Sequence, residues 1–123
     1  MAKEILLIDD DADELEVFTD ALQLIEPFKC FQAKNLEEVM TYLETTSPAF
    51  IFIDFNMPKL NGLECLSALK ESGKVENARV ILYSNHITER MKKQAVELGA
   101  VNCIQKPTTI IGLSEKLIWV LKD

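Results

Sequence analysis

Five short apolar runs that alternate strictly with five stretches of helical periodicity predict an α/β fold. The expected form is a doubly wound parallel sheet of five strands, with right-handed crossovers and five helices on both faces. Two further observations point the same way. Ile5 to Ile8 and Phe50 to Ile53 are apolar at every position rather than every second one, as in strands covered on both faces. Several runs stop at a carboxylate, a hydroxyl or an amine, as strands do when they end at a site.

The first strand is Ile5-Leu6-Leu7-Ile8, which runs into Asp9-Asp10-Asp11. Asp11 or Asp13 can cap the following helix, whose buried stripe is Leu15, Phe18, Leu22 and Ile25 and which Pro27 closes. Phe28 to Ala33 is more polar, as an edge strand would be. Asn35 with Glu38 three residues on reads as a capping-box start for a helix carrying Leu36, Met40 and Leu43. The central strand is the apolar run ending in Asp54. Pro58 can donate nothing to a sheet and biases Met57 away from helix, so the chain leaves the strand as a loop. Asn61 then caps a helix with stripe Leu63, Leu66 and Leu69, stopped by Gly73. Ala78 to Tyr83 is the fourth strand, ending at Ser84-Asn85-His86, and a helix with Met91, Ala95 and Leu98 runs to Gly99. Val101 to Gln105 is the fifth strand and gives out at Lys106-Pro107. The last helix packs through Ile110, Leu113, Leu117 and Leu121.

With 123 residues, 48% of them hydrophobic and 27% charged, residues 1–123 form one domain able to bury a core. No apolar run approaches membrane-spanning length and no secretory pattern precedes the first strand, so a cytoplasmic location is expected. Cys30, Cys65 and Cys103 are widely spaced, and with one histidine in the chain they suggest neither a disulfide framework nor a zinc site. A formal net charge of −7 opposes contact with a phosphate backbone, so direct nucleic-acid binding is not expected.

In open parallel sheets, ligands bind outside the carboxyl ends of the strands near the topological switch point. Four strands end in Asp9/Asp10, Asp54, Ser84 and Lys106, and those five side chains should converge. Gathered carboxylates repel one another and call for a cation; hard oxygen ligands with room for water suit Mg²⁺. Lys106 and Ser84 beside such a metal suit a phosphoryl group, and a carboxylate there could attack phosphorus. Taken singly, each aspartate is better explained as a helix start favoured by the dipole. That account leaves unexplained why the other strand ends carry Asp, Ser and Lys.

Leu7-Ile8-Asp9-Asp10, Asp54-Phe55-Asn56-Met57-Pro58 with Gly62, Ser84, and Lys106-Pro107 together resemble the receiver domains of two-component response regulators, in particular the stand-alone chemotaxis receiver. The resemblance covers the whole chain and implies the flavodoxin-like strand order 2-1-3-4-5. It implies a phosphorylation-dependent signalling switch of a phosphorelay rather than an enzyme. Asp54 would be the phosphoacceptor, taking the group from a phosphohistidine or acetyl phosphate. Asp10, Asp54 and the Asn56 backbone carbonyl would bind Mg²⁺ directly, and Asp9 through a water. Lys106 would pair with phosphoryl oxygens, its bond to Pro107 would be cis, and Ser84 would be the switch hydroxyl. Expected partners are a sensor histidine kinase or phosphotransfer protein and a downstream protein bound by the fourth helix, fifth strand and fifth helix, where Ile111, Ile118 and Trp119 lie.

Three positions depart from the pattern. Cys103 stands where the family usually has Tyr or Phe, Asn85 where a small residue is usual, and Thr108 where Phe is frequent. His86, at a position that tunes acyl-phosphate hydrolysis in the family, reads as an exposed helix-start histidine. Two other readings remain open on the residues. Asp9-Asp10-Asp11 also fits the DxD nucleophile motif of haloacid-dehalogenase-like phosphatases, with Asp9 as nucleophile, but that family needs a later acidic motif where this chain has Lys106-Pro107. The other is a receiver-shaped interaction module that is never phosphorylated.

Overall fold

A computed structural model describes residues 3–25, 28–57 and 60–122. Strands β1 (Lys3–Ile8), β2 (Phe28–Ala33), β3 (Phe50–Asp54), β4 (Arg79–Ser84) and β5 (Asn102–Gln105) alternate with helices α1 (Ala12–Gln23), α2 (Leu36–Thr45), α3 (Gly62–Ser72), α4 (Glu89–Glu97) and α5 (Ile110–Val120). All strand pairs are parallel and the sheet order is 2-1-3-4-5, as expected. The chain reverses direction across the sheet between β1 and β3, so the two strands that end in Asp9 and Asp54 are neighbours, with Ile8 opposite Ile53.

Strand composition follows position in the sheet. β3 is buried at every residue and β1 from Ile5 onward, while the edge strands β2 and β5 each bury one residue, Ala33 and Ile104. Side chains alternate between faces along each strand. Leu6, Ile8, Ile51, Ile53, Val80 and Leu82 pack with the helices α2, α3 and α4. Ile5, Leu7, Phe50, Phe52, Ile81, Tyr83 and Ile104 pack with α1 and α5. The second face holds an edge-to-face aromatic cluster, with Phe18 4.9 Å from Phe52 and 5.9 Å from Tyr83 between ring centroids.

The caps explain where the helices begin. Asp11, not Asp13, caps α1 by accepting from the Asp13 N–H. Asn35 caps α2 by accepting from the Glu38 N–H, but Glu38 Oε1 returns to the Lys34 N–H rather than to the cap itself. Asn61 and Glu64 close a full capping box on α3, and Gly73 ends it at φ 71°, a left-handed conformation that a side chain disfavours. Three sequence expectations are corrected. Ile110 is 39% exposed because it occupies the first turn of α5, before the helix meets the sheet. The α2 core residue is Val39 beside Leu43, with Leu36 and Met40 only partly buried at the rim. α4 begins at Glu89 under a Thr88 cap, so His86 lies in the loop before it and is exposed. Pro27 and Pro58 lie outside the described residues.

Candidate functional site

The site forms where β1 and β3 end side by side. Asp9 continues the β1 ladder one residue beyond the strand, its N–H donating to Ala33 O at 3.0 Å, and its side chain is 1% exposed. Asp54, the last residue of β3, is 6% exposed and its Oδ1 accepts from the Asn56 N–H at 3.3 Å. Asp10 is exposed at the mouth. One carboxylate oxygen from each of Asp9, Asp10 and Asp54 lies within 4.8 Å of the others. Such a set of hard oxygen donors, two buried and one open to water, suits a divalent cation that keeps part of its hydration, as Mg²⁺ does.

Lys106, just past β5, reaches back over these groups. Its Nζ lies 3.4 Å from Asp54 Oδ1, 3.5 Å from Asp9 Oδ2 and 3.6 Å from Glu14 Oε1, with its side chain 8% exposed. Burial opposes its charge, but Asp54, Asp9 and Glu14 outweigh that and hold the ammonium above its ordinary pKa. Burial pushes Asp9 up to about 6. The Asp11 N–H works against this shift, Asp54 adds to it and Lys106 subtracts. The bond from Lys106 to Pro107 is trans, which corrects the cis geometry the resemblance implied and is the intrinsically favoured isomer.

Strand parity explains which expected residues meet. Phe50 and Phe52 point toward α1 and α5, so Asp54 follows them; Ile5 and Leu7 carry Asp9 the same way, and Ile104 carries Lys106. Ser84 has the parity of Val80 and Leu82, which face α2 to α4. Its hydroxyl, fully buried, donates to His86 O at 3.1 Å and accepts from the His86 N–H at 3.3 Å. The expected convergence therefore holds for Asp9, Asp10, Asp54 and Lys106, while Ser84 is bonded into its own loop. Asn56 is exposed.

Three contributors escaped the sequence reading. Glu14 enters the site from the first turn of α1, and its one signal was its place one helical turn beyond Asp10. Tyr83 lies under Lys106, with Nζ 5.0 Å from the ring centroid, and β-sheet parity with Ile81 could have placed it there. Gln32 Nε2 donates to Asp9 O and Asp11 O at 2.9 and 2.8 Å, fixing the acidic loop from the edge strand. No local pattern marks that contact.

The family model for the response regulator receiver domain matches residues 5–118. The chain belongs to this family. Receivers are the phosphorylation-dependent switches of two-component signalling, and this chain is one of them. It is 28% identical over 122 residues to the phosphate regulon transcriptional regulatory protein PhoB of Pseudomonas aeruginosa, covering 99% of this chain and 53% of that protein. It is 28% identical over 110 residues to sporulation initiation phosphotransferase F of Bacillus subtilis, covering 89% and 87%. The solved chemotaxis response regulator CheY4 of Vibrio cholerae superposes with a TM-score of 0.83 at 19% identity, covering 98% and 99%, and so shares the receiver fold. This receiver spans about half or less of the length of the first curated relatives it matches. The phosphatase reading finds no support: Asp11, the second aspartate of its motif, is spent capping α1, and the carboxylates that gather are Asp9, Asp10 and Asp54. No helix among the described residues is long and apolar enough to cross a membrane.

Proposed function

We propose that Asp54 is the phosphoacceptor of this receiver. The observation that carries the reading is one carboxylate at the end of the central strand, faced by two further aspartates within 4.8 Å and by an ammonium at 3.4 Å. An oxygen of Asp54 attacks phosphorus. A P–O bond to Asp54 forms as the P–N bond of a phosphohistidine or the P–O bond of acetyl phosphate breaks, and its electron pair leaves with the donor. Asp9, Asp10, Asp54 and the Asn56 carbonyl would hold Mg²⁺, which supplies neutralisation of the charge gathering on the phosphoryl oxygens. Lys106 balances those oxygens from the other side. Ser84 exchanges its two bonds with His86 for one to the phosphoryl group, which frees the loop before α4 and shifts the domain between two populations. Beyond this self-phosphorylation, and slow loss of the group to water, the receiver performs no catalysis.

The group comes from a sensor histidine kinase or a phosphotransfer protein in the cytoplasm. The output partner binds α4, β5 and α5, where a groove of about 440 Å³ is lined by Ile87, Lys92, Cys103, Lys116 and Trp119, with Ile111 and Ile118 also exposed. Cys103 leaves no aromatic ring to turn at β5, so the signal travels through Ser84 and its loop.

Intact mass after incubation with acetyl phosphate tests the central step. Wild type should gain one phosphoryl group only when Mg²⁺ is present, and Asp54→Ala should gain none. A Mg²⁺-dependent adduct on Asp54→Ala would assign the acceptor elsewhere.

A further inference from the structure

Lys106 has three N–H donors and three carboxylates around it, and one of those carboxylates, Glu14, belongs to neither the metal set nor the acceptor. The three are not equal. The side chains of Asp9 and Asp54 are 1% and 8% exposed, so water cannot replace a lost ammonium contact there, whereas Glu14 is 27% exposed and can return to solvent at little cost. Its approach is fixed by the fold: Asp11 caps α1 and Gln32 pins the loop before it, which holds the first helical turn where Glu14 reaches Lys106.

We infer that Glu14 is a positioning residue whose carboxylate, in ion-pair contact with Lys106 at 3.6 Å, holds in the unphosphorylated receiver the side of the ammonium that a phosphoryl oxygen takes over, and so restrains phosphorylation. This rests on Asp54 being the acceptor and adds a regulator of that same site. Glu14 acts twice: it must be displaced from Lys106 when the phosphoryl group arrives, and it adds a further negative charge facing an anionic donor. Its carboxylate stands in for the phosphoryl oxygen until then.

The test is the rate at which acetyl phosphate with Mg²⁺ phosphorylates the wild type, Glu14→Gln, Glu14→Asp and Glu16→Gln, followed by intact mass, with thermal melting of each. Glu14→Gln keeps the shape and removes the charge, and should raise the rate about fivefold, the scale of a partly exposed ion pair. Glu14→Asp withdraws the carboxylate from Lys106 and should raise the rate by a smaller factor. Glu16, exposed on the same helix, should give no change on conversion to Gln. A merely structural role for Glu14 would lower melting without speeding the reaction. An unchanged or slower rate in both Glu14 variants, or an equal gain from Glu16→Gln, overturns the inference and leaves Asp54 as acceptor. An absence of adduct on wild type overturns both.

Discussion

Gly62→Ala tests how tightly the site is built, because Gly62 is the place where α3 meets the end of β3. A Cβ at Gly62 would lie 2.8 Å from Phe55 Cα and 3.1 Å from Asp54 O, both backbone atoms that cannot swing aside as a flexible side chain could. The Gly62 N–H also donates to Phe55 O at 2.9 Å, so the helix start and the strand end are already drawn together. Restoring ordinary contact requires a displacement of roughly 0.6 Å in the segment carrying Asp54. Overpacking of this kind costs about 1–3 kcal/mol. Alanine recovers at most about 1 kcal/mol of helix propensity, and less at a first turn. The net expectation is a loss of about 1–2 kcal/mol in urea unfolding, together with phosphorylation of Asp54 slowed about tenfold, since sub-ångström misplacement of a reacting group is expensive. Gly73→Ala is the contrast: nothing lies within 4 Å of its added Cβ, so its cost is the left-handed backbone alone, about 1 kcal/mol, with phosphorylation unchanged. A Gly62→Ala protein as stable as wild type, or destabilised with its phosphorylation rate intact, would refute the argument that this contact fixes Asp54.

Asp9 should make stability depend on pH and, if it helps hold Mg²⁺ as proposed, on Mg²⁺ as well. Its folded pKa of about 6 lies above the ordinary value of 3.8, so the folded state holds its proton more firmly; the favourable contribution is complete below about pH 4 and is lost as pH rises through 6. Asp9→Asn should therefore gain about 1–3 kcal/mol over wild type at pH 7.5 without Mg²⁺, and the gain should vanish near pH 4 and shrink when saturating Mg²⁺ stabilises the wild type. Denaturant melts at the two pH values decide it, and equal stability of the two proteins at pH 7.5 would count against a buried, penalised carboxylate. Trp119 is 74% exposed, with the Lys122 ammonium 4.5 Å from its ring centroid. Trp119→Ala should leave unfolding within about 0.5 kcal/mol of wild type yet weaken pull-down of a phosphorylation-dependent partner; unchanged pull-down would remove Trp119 from the output surface.

The fold was legible because its signals are local. The inner strands β1, β3 and β4 are short apolar runs, and each helix carries both a stripe and a cap, so Asn35, Asn61 and Gly73 could be read before any packing was known. Four of the five expected strand-end residues meet for the same reason. What was not legible depends on which face a side chain takes and on contacts between distant segments. Ser84 ends a strand as the carboxylates do, but its parity is that of Leu82 and not of Tyr83. Glu14 and Gln32 look like ordinary surface residues, since nothing near them in sequence says that Lys106 or the β1–α1 loop will lie alongside.

Parity also bears on how a signal could cross the sheet. Asp9, Asp54, Lys106 and Tyr83 lie toward α1 and α5, a face locked by the Phe18, Phe52 and Tyr83 rings and resistant to rearrangement. Ser84 lies toward the other face, at the root of the loop leading into α4, and that helix buries a single residue, Ala95, against two in α2 and four in α3. If the Ser84 hydroxyl turns to a phosphoryl group, it gives up both bonds to His86, each worth about 1 kcal/mol. The loop then loses both of its bonds to the Ser84 hydroxyl, and the helix it carries is the one of the five that buries the fewest residues. Segments with few buried contacts open first. On that premise a charge change on the rigid face would be converted into movement on the loose one, and a moving α4 would shift the wall of the groove that contains Cys103 and Trp119, because Lys92 of α4 lines it.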